Sequence, residues 1–168
     1  TYYVENPSVI VVTKENYLKE FSVIDNIEEY GTFILNTSKT KEEILEILPN
    51  SIKNIIKVRH IEFYIINAYE LARKVGLQNR ISTILESAIM KLSNILDYEK
   101  AKEEMKEYAK NKFFKKGEEV LYANYEAIEK APLYLEKVEI VEEINEINKI
   151  EDINHDVYQM ITKRLGSE

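Results

Sequence analysis

Apolar positions recur along the chain in two rhythms. Short, nearly unbroken apolar runs stand at Ser8-Val-Ile-Val-Val12, Thr32-Phe-Ile-Leu35 and Ile61-Glu-Phe-Tyr-Ile-Ile66. Their length and their β-branched and aromatic content predict buried strands, covered on both faces. Pro7 is tolerated at the start of the first. Between and after these runs, apolar residues fall at i, i+3 and i+4, the spacing of core-facing helices. A helix is predicted from Lys14 to Ile27 with Tyr17, Leu18, Phe21 and Ile24 inward, followed by a turn at Tyr30-Gly31. Another opens at Thr40, carries Ile44, Leu45, Ile47 and Leu48 on its apolar side, and stops at Pro49. A short one runs from Ser51 to Lys57 with Ile52, Ile55 and Ile56 inward.

Residues 61–96 are the stretch around which the chain is organised: strand, helix, tight break, second helix. Asn67 can cap the first of these helices, with Glu70 three residues on as its capping-box partner, as Glu43 is for Thr40. Gly76 ends it, because glycine accepts the left-handed conformation at that stop. Asn79 is read as the cap of the second helix, whose stripe is Ile81, Ile84, Leu85, Ala88, Ile89, Leu92 and Leu96. Beyond it the chain turns helical. Asp97 caps a helix from Tyr98 to Lys112 with Ala101, Met105, Tyr108 and Ala109 on one face. Phe113-Phe-Lys-Lys-Gly117 is a basic, aromatic joint. Glu118 to Ala131 is a further helix with Val120, Leu121, Ala127 and Ile128 inward, ended by Pro132. Val138 to Val141 reads as a short strand or extended arm, Glu142 to Asp152 as an acidic linker, and Asp156 to Leu165 as a last amphipathic helix.

Strands alternating with helices are the signature of right-handed crossovers in a parallel sheet, so the fold class is α/β. Three strands make a thin sheet. The chain also starts almost on a strand, without methionine. It is therefore expected to be a piece of something larger, or to need a neighbour over one sheet edge.

A chain of 168 residues suffices for one domain with a real core. With 45% hydrophobic and 32% charged residues it is globular rather than disordered. Its net charge of −7 argues against nucleic acid, and no run approaches the ~20 apolar residues of a membrane span. No secretory signal is recognisable. Zero cysteines exclude disulfides and thiolate-held zinc or iron–sulfur clusters in this chain, which fits a cytoplasmic setting. His60 and His155 are too few and too isolated for a histidine metal site.

The catalytic inventory is poor: no glycine-rich dinucleotide loop, P-loop, nucleophile elbow or zincin motif occurs. Adjacent acids such as Glu42–Glu43 and Glu103–Glu104 read as solvated faces. Asn124 falls on an apolar face and is expected to tie down a neighbouring backbone. Arg80 is the odd residue. In the first turn of a helix a positive charge opposes the dipole, yet a helix start welcomes an anion. Either Arg80 pairs with a carboxylate or carbonyl nearby, or it helps hold a phosphate-bearing ligand.

Gly31-Thr-Phe-Ile-Leu-Asn-Thr37, Ile61-Glu-Phe-Tyr-Ile-Ile66, Gly76-Leu-Gln-Asn-Arg-Ile81 and Lys115-Lys-Gly117 followed by Asn124 occur in a telling order. Together they resemble the gamma-type domain of pyruvate:ferredoxin (flavodoxin) oxidoreductases, domain III of the fused single-chain enzymes. The resemblance spans Thr1 to about Ala131. Residues 132–168 look like a connector to a next domain. It implies a Rossmann-like sheet, incomplete here, with helices around it and a helical C-terminal part. It also implies a fragment of an enzyme that oxidatively decarboxylates pyruvate to acetyl-coenzyme A with thiamine diphosphate and iron–sulfur clusters, both carried by other domains or subunits. This chain alone is expected to bind no cofactor and to be non-catalytic, acting as scaffold and coenzyme A-facing domain. Asn79 and Arg80 match the family's Asn-Arg and are the residues expected to face coenzyme A. Two departures stand out. The family's glycine-rich strand–turn–helix start is lacking, and Thr13-Lys14-Glu15 stands where the family tends to have His-Asn-Pro. They motivate the rival reading of an interaction module that kept the fold and lost the ligand.

Overall fold

The computed structural model of the 168-residue chain describes residues 8–19, 24–93 and 97–140. The expected linker at 142–152 and helix at 156–165 lie outside them, as do Phe21 and Leu96. Among the described residues one sheet of four strands has the order β1 (Val9–Val12), β2 (Thr32–Asn36), β3 (Glu62–Ile66), β4 (Leu135–Val138). β1–β2 and β2–β3 are parallel, as predicted, and β4 runs antiparallel to β3. The fold is α/β and Rossmann-like.

The alternation along a strand sends neighbouring side chains to opposite faces, and each face has its own core. Phe33, Leu35, Phe63 and Ile65 pack with Ile44, Ile52, Ile55 and Ile56 of α1 (Lys41–Ile47) and α2 (Asn50–Val58). Phe33 and Phe63 are in register, their rings stacked with centroids 5.0 Å apart. On the other face Ile34 and Ile66 meet Leu71 of α3 (Ala68–Val75), Ile84 of α4 (Ser82–Ser93) and Ala127 of α6 (Glu118–Lys130). α5 (Tyr98–Phe113) lies against α4 and α6. All five residues of β2 are buried, because β2 has strands on both sides and helices on both faces.

The local signals hold at most helix ends. Thr40 and Glu43 form a reciprocal capping box, each bond 3.2 Å. Asn67 Oδ1 accepts the Glu70 N–H at 3.2 Å, though Glu70's carboxylate returns to the Asn67 amide group rather than to its backbone. Gly76 adopts φ +92°, and Asp97 accepts from Glu99 N–H.

Several expectations are corrected. The helix predicted over 14–27 is, in the described part, a 3-10 turn at Glu15–Lys19. Ile24 then closes a separate turn through its carbonyl to Ile27 N–H at 3.2 Å, around Asp25-Asn26, residues that favour turns over helix interiors. Leu18 and Ile24 are buried as expected. β1 is half-buried except at Val12, since it has one strand partner among the described residues. The last strand among the described residues sits at 135–138, so it ends at Val138 where the expected one began. The 3-10 turn Ala131–Tyr134, with Pro132 in it, delivers the chain to β3 so that Leu135 pairs with Ile66 and Val138 with Phe63. The packed unit therefore continues past residue 131. Ile47 and Tyr108 face solvent although they share a helical stripe with buried residues. α4 begins at Ser82, so Asn79 is not its cap. No helix among the described residues is long and apolar enough to cross a membrane.

Candidate functional site at the carboxyl ends of the parallel strands

Because β1, β2 and β3 run parallel, their carboxyl ends share one edge of the sheet, where ligands of open α/β sheets bind. An open cleft of about 560 Å³ lies there, walled by Lys14, Asn36, Thr37, Tyr69, Arg73 and Asn79 among others. Each wall follows a strand. Thr13 to Asn16 follow β1, Asn36 to Ser38 end and follow β2, and Asn67 with α3 follows β3.

The β2 wall holds the other two in place. Asn36 is buried, and its Nδ2 donates to the Thr13 carbonyl at 3.2 Å while its Oδ1 accepts the Ala68 N–H at 2.9 Å. Thr37 N–H donates to Ile66 O at 2.9 Å. The Thr37 hydroxyl donates to Glu15 Oε1 and accepts the Lys39 N–H at 3.1 Å, and Lys39 Nζ stands 3.6 Å from Glu15 Oε2. Glu15, the cleft's carboxylate, is thus already engaged.

Its cations are not. Among the described residues Lys14 and Arg73 have no carboxylate partner, in a chain of net charge −7. Lys74, one residue on, is committed elsewhere. The Tyr134 hydroxyl and then Glu70, 3.3 Å away, hold its ammonium above the ordinary lysine range.

The two residues singled out in the sequence divide here. Leu77 is buried, Gln78 takes φ +58°, and Arg80 N–H donates to Leu77 O at 3.1 Å. This turn presents Asn79 to the cleft and leaves Arg80 exposed beside it, outside the lining. Arg80 precedes α4 rather than lying in its first turn, and no carboxylate among the described residues pairs with it. The ion-pair alternative weighed for Arg80 is therefore not what the described residues form.

Sequence reasoning missed the remaining walls. Their signal was polar residues directly after each predicted strand: Thr13-Lys14, Asn36-Thr37 and Asn67. Asn124 behaves as expected, with Nδ2 donating to Val120 O at 2.8 Å and Oδ1 accepting from the Thr83 hydroxyl at 3.1 Å. A second concavity of about 330 Å³ lies between α4 and α5, with Met90, Met105 and Phe113 in its wall. Among the described residues no cluster of three or more His, Cys, Asp or Glu side chains could hold a metal ion.

Comparison with known proteins fixes the relationship. Residues 1–134 match the family described as pyruvate ferredoxin/flavodoxin oxidoreductase. The chain belongs to that family. It is 33% identical over 129 residues to the pyruvate-flavodoxin oxidoreductase of Trichormus variabilis, covering 77% of this chain and 11% of that one. It is 28% identical over 137 residues to the pyruvate:ferredoxin oxidoreductase of Moorella thermoacetica, covering 82% and 12%. The chain thus spans about a tenth of the length of these relatives. The fold is shared with a solved structure, the pyruvate oxidoreductase subunit PORC of Thermotoga maritima. The TM-score is 0.63 at 21% identity, over 81% of this chain and 67% of that one.

Proposed function

We propose that this chain is a unit of a pyruvate:ferredoxin or pyruvate:flavodoxin oxidoreductase, where it serves as scaffold and coenzyme A-facing domain. On this reading thiamine diphosphate and iron–sulfur clusters belong to other domains or subunits of a cytoplasmic enzyme. No cysteine stands here to hold a cluster. The observation that carries the proposal is the cleft at the carboxyl ends of β1–β3, ringed by Lys14, Arg73 and, just outside the lining, Arg80, cations that no carboxylate among the described residues neutralises. Coenzyme A carries a diphosphate and a 3′-phosphate, groups that cations without carboxylate partners attract. Asn79 supplies an amide at the rim and Arg80 a planar, permanently charged donor beside it.

The test is coenzyme A titration of the assembled oxidoreductase carrying Arg80→Ala. Losing a charge-assisted contact is expected to weaken coenzyme A by on the order of 10- to 150-fold, with the melting temperature held. An Arg80→Ala enzyme that binds coenzyme A normally and unfolds several degrees earlier would overturn the assignment. The isolated chain is expected to show no pyruvate-dependent reduction of a viologen dye with thiamine diphosphate and coenzyme A supplied, and any sustained reduction would count against the division of labour.

A second reading rests on Glu15, which places a carboxylate in the cleft where the resemblance leads one to expect a neutral loop residue. It makes the chain an interaction module that kept the fold and lost the ligand. It predicts unchanged coenzyme A affinity for Lys14→Ala, Arg73→Ala and Arg80→Ala together.

A further inference from the structure

We infer that Asn36 is the positioning residue of the cleft: its side-chain amide sets the separation between the loop after β1 and the amino terminus of α3. The inference rests on the coenzyme A reading for its ligand, but not for its mechanics. Asn36 is the last residue of β2, the strand in the middle of the three parallel ones, and it is 3% exposed. A buried primary amide must have partners, and this one spans the site to find them. Its Nδ2 donates sideways to the Thr13 carbonyl at 3.2 Å, and its Oδ1 accepts the N–H of Ala68, the first residue of α3, at 2.9 Å. Those partners lie 23 and 32 residues away in sequence, on the two walls that flank β2.

A neutral amide meets both demands at once, whatever the pH. Thr13 offers an acceptor and needs a donor; Ala68 offers a donor and needs an acceptor. One side is therefore an N–H and the other a C=O, which also fixes the amide's orientation. A carboxylate would serve Ala68 and repel Thr13. A leucine of similar size would serve neither. The loop held in this way carries Lys14, and the helix held in this way carries Tyr69 and Arg73. Thr37, the next residue, adds a second tie to the same loop through its hydroxyl to Glu15. The Asn36-Thr37 pair thus preorganises two cationic walls around a fixed gap, and preorganisation lowers the ordering cost of binding.

Asn36→Asp separates the two arms. At neutral pH the introduced carboxylate keeps the Ala68 bond, favoured at a helix amino terminus, and loses the Thr13 bond. Hydrogen exchange of the 168-residue chain should then speed up by about ten-fold or more at Tyr17, whose N–H donates to Lys14 O in this loop at 3.1 Å, with Ala68 and the core amides of β2 unchanged. Lowering the pH protonates the buried carboxyl, whose pKa burial raises. The hydroxyl so formed can donate to Thr13, and the Tyr17 amide should regain protection, measured against the unaltered chain at the same pH. In the assembled oxidoreductase the same variant should raise KM for coenzyme A by more than it lowers kcat, with the same acid-side recovery. Loosening that spreads to Ala68 and β2 together, or loop protection unaffected by the substitution, overturns the inference. If Asn36→Asp perturbs folding, the unaltered chain still decides it. The Asn36 Nδ2 protons should exchange slowly and show a coupling across the hydrogen bond to the Thr13 carbonyl carbon, and fast-exchanging, uncoupled protons would refute the tie. A loop that loosens as described while KM stays at its original value would remove coenzyme A from the cleft and leave the positioning role intact.

Discussion

The two ends of the parallel strands differ in what they do with charge. At the amino end, Arg59 follows α2 and points its guanidinium into the chain. Nη1 donates to the Asp25 carbonyl at 2.5 Å and to the Ile27 carbonyl at 2.9 Å, while Tyr30 N–H donates to Arg59 O at 2.8 Å. Tyr30 and His60, both with positive φ, stack with ring centroids 5.1 Å apart. Gly31 is wedged so tightly that an added Cβ would lie 2.8 Å from Glu28 O and 2.9 Å from Ser8 O. This end is closed, and Arg59 is used up by the fold. At the carboxyl end Lys14, Arg73 and Arg80 have no carboxylate partners among the described residues and stand around an open cleft. A structural arginine in this protein looks like Arg59. Arg80 does not.

That contrast can be broken by substitution. The largest expected effect is Gly31→Ala. Forcing two backbone carbonyls apart should cost about 3 kcal/mol, read as a lower midpoint in urea, with coenzyme A affinity of the surviving folded enzyme unchanged. Arg59→Ala should follow at about 2 kcal/mol, because two partly buried carbonyls lose their donor. Thermal unfolding checks it, and an Arg59→Ala chain as stable as the parent would dissolve the distinction between the two arginines. The smallest effect lies away from both ends and serves as a control. Chiefly the hydrogen bond from Lys106 holds the Glu129 carboxyl below its ordinary range; burial opposes it, and a smaller contribution from Lys102 adds to the lowering. A lowered folded-state pKa gives stability that is present above the unfolded pKa and lost as pH falls through the folded value. The pair is exposed, so screening keeps the effect small. Lys106→Ala should remove an acid-limb shift in melting temperature of no more than about 2 °C, leaving both ends of the sheet untouched.

Much of the scaffold is legible because its signals are local. The apolar runs at 32–35 and 61–66 became β2 and β3, displaced by one residue at an end. Thr40, Asn67, Gly76 and Asp97 act at the helix ends where their side chains or glycine freedom placed them. Residues 14–27 misled because Leu18, Ile24 and Ile27 point inward at spacings a helix would also produce, while turn-forming Asp25-Asn26 breaks the ladder. Asn79 has a cap's chemistry, but a left-handed Gln78 sets it in a turn three residues before α4. The cleft was only half legible. Asn36 falls just past the predicted strand at 32–35, and its partners are brought to it by parallel pairing rather than by sequence spacing. The difference between Arg59 and Arg80 is entirely tertiary, since it depends on which carbonyls the fold turns toward each.

The central claim is that the ligand-facing end of this unit is the carboxyl end of β1–β3. Hydrogen exchange of the assembled oxidoreductase with and without saturating coenzyme A tests it most directly. The account predicts slowed exchange at 13–16, 36–39, 67–69 and 78–80, with 25–31 and 59–61 indifferent to the ligand. Protection confined to 25–31 and 59–61, or none anywhere in residues 8–140 while coenzyme A is bound, would contradict it.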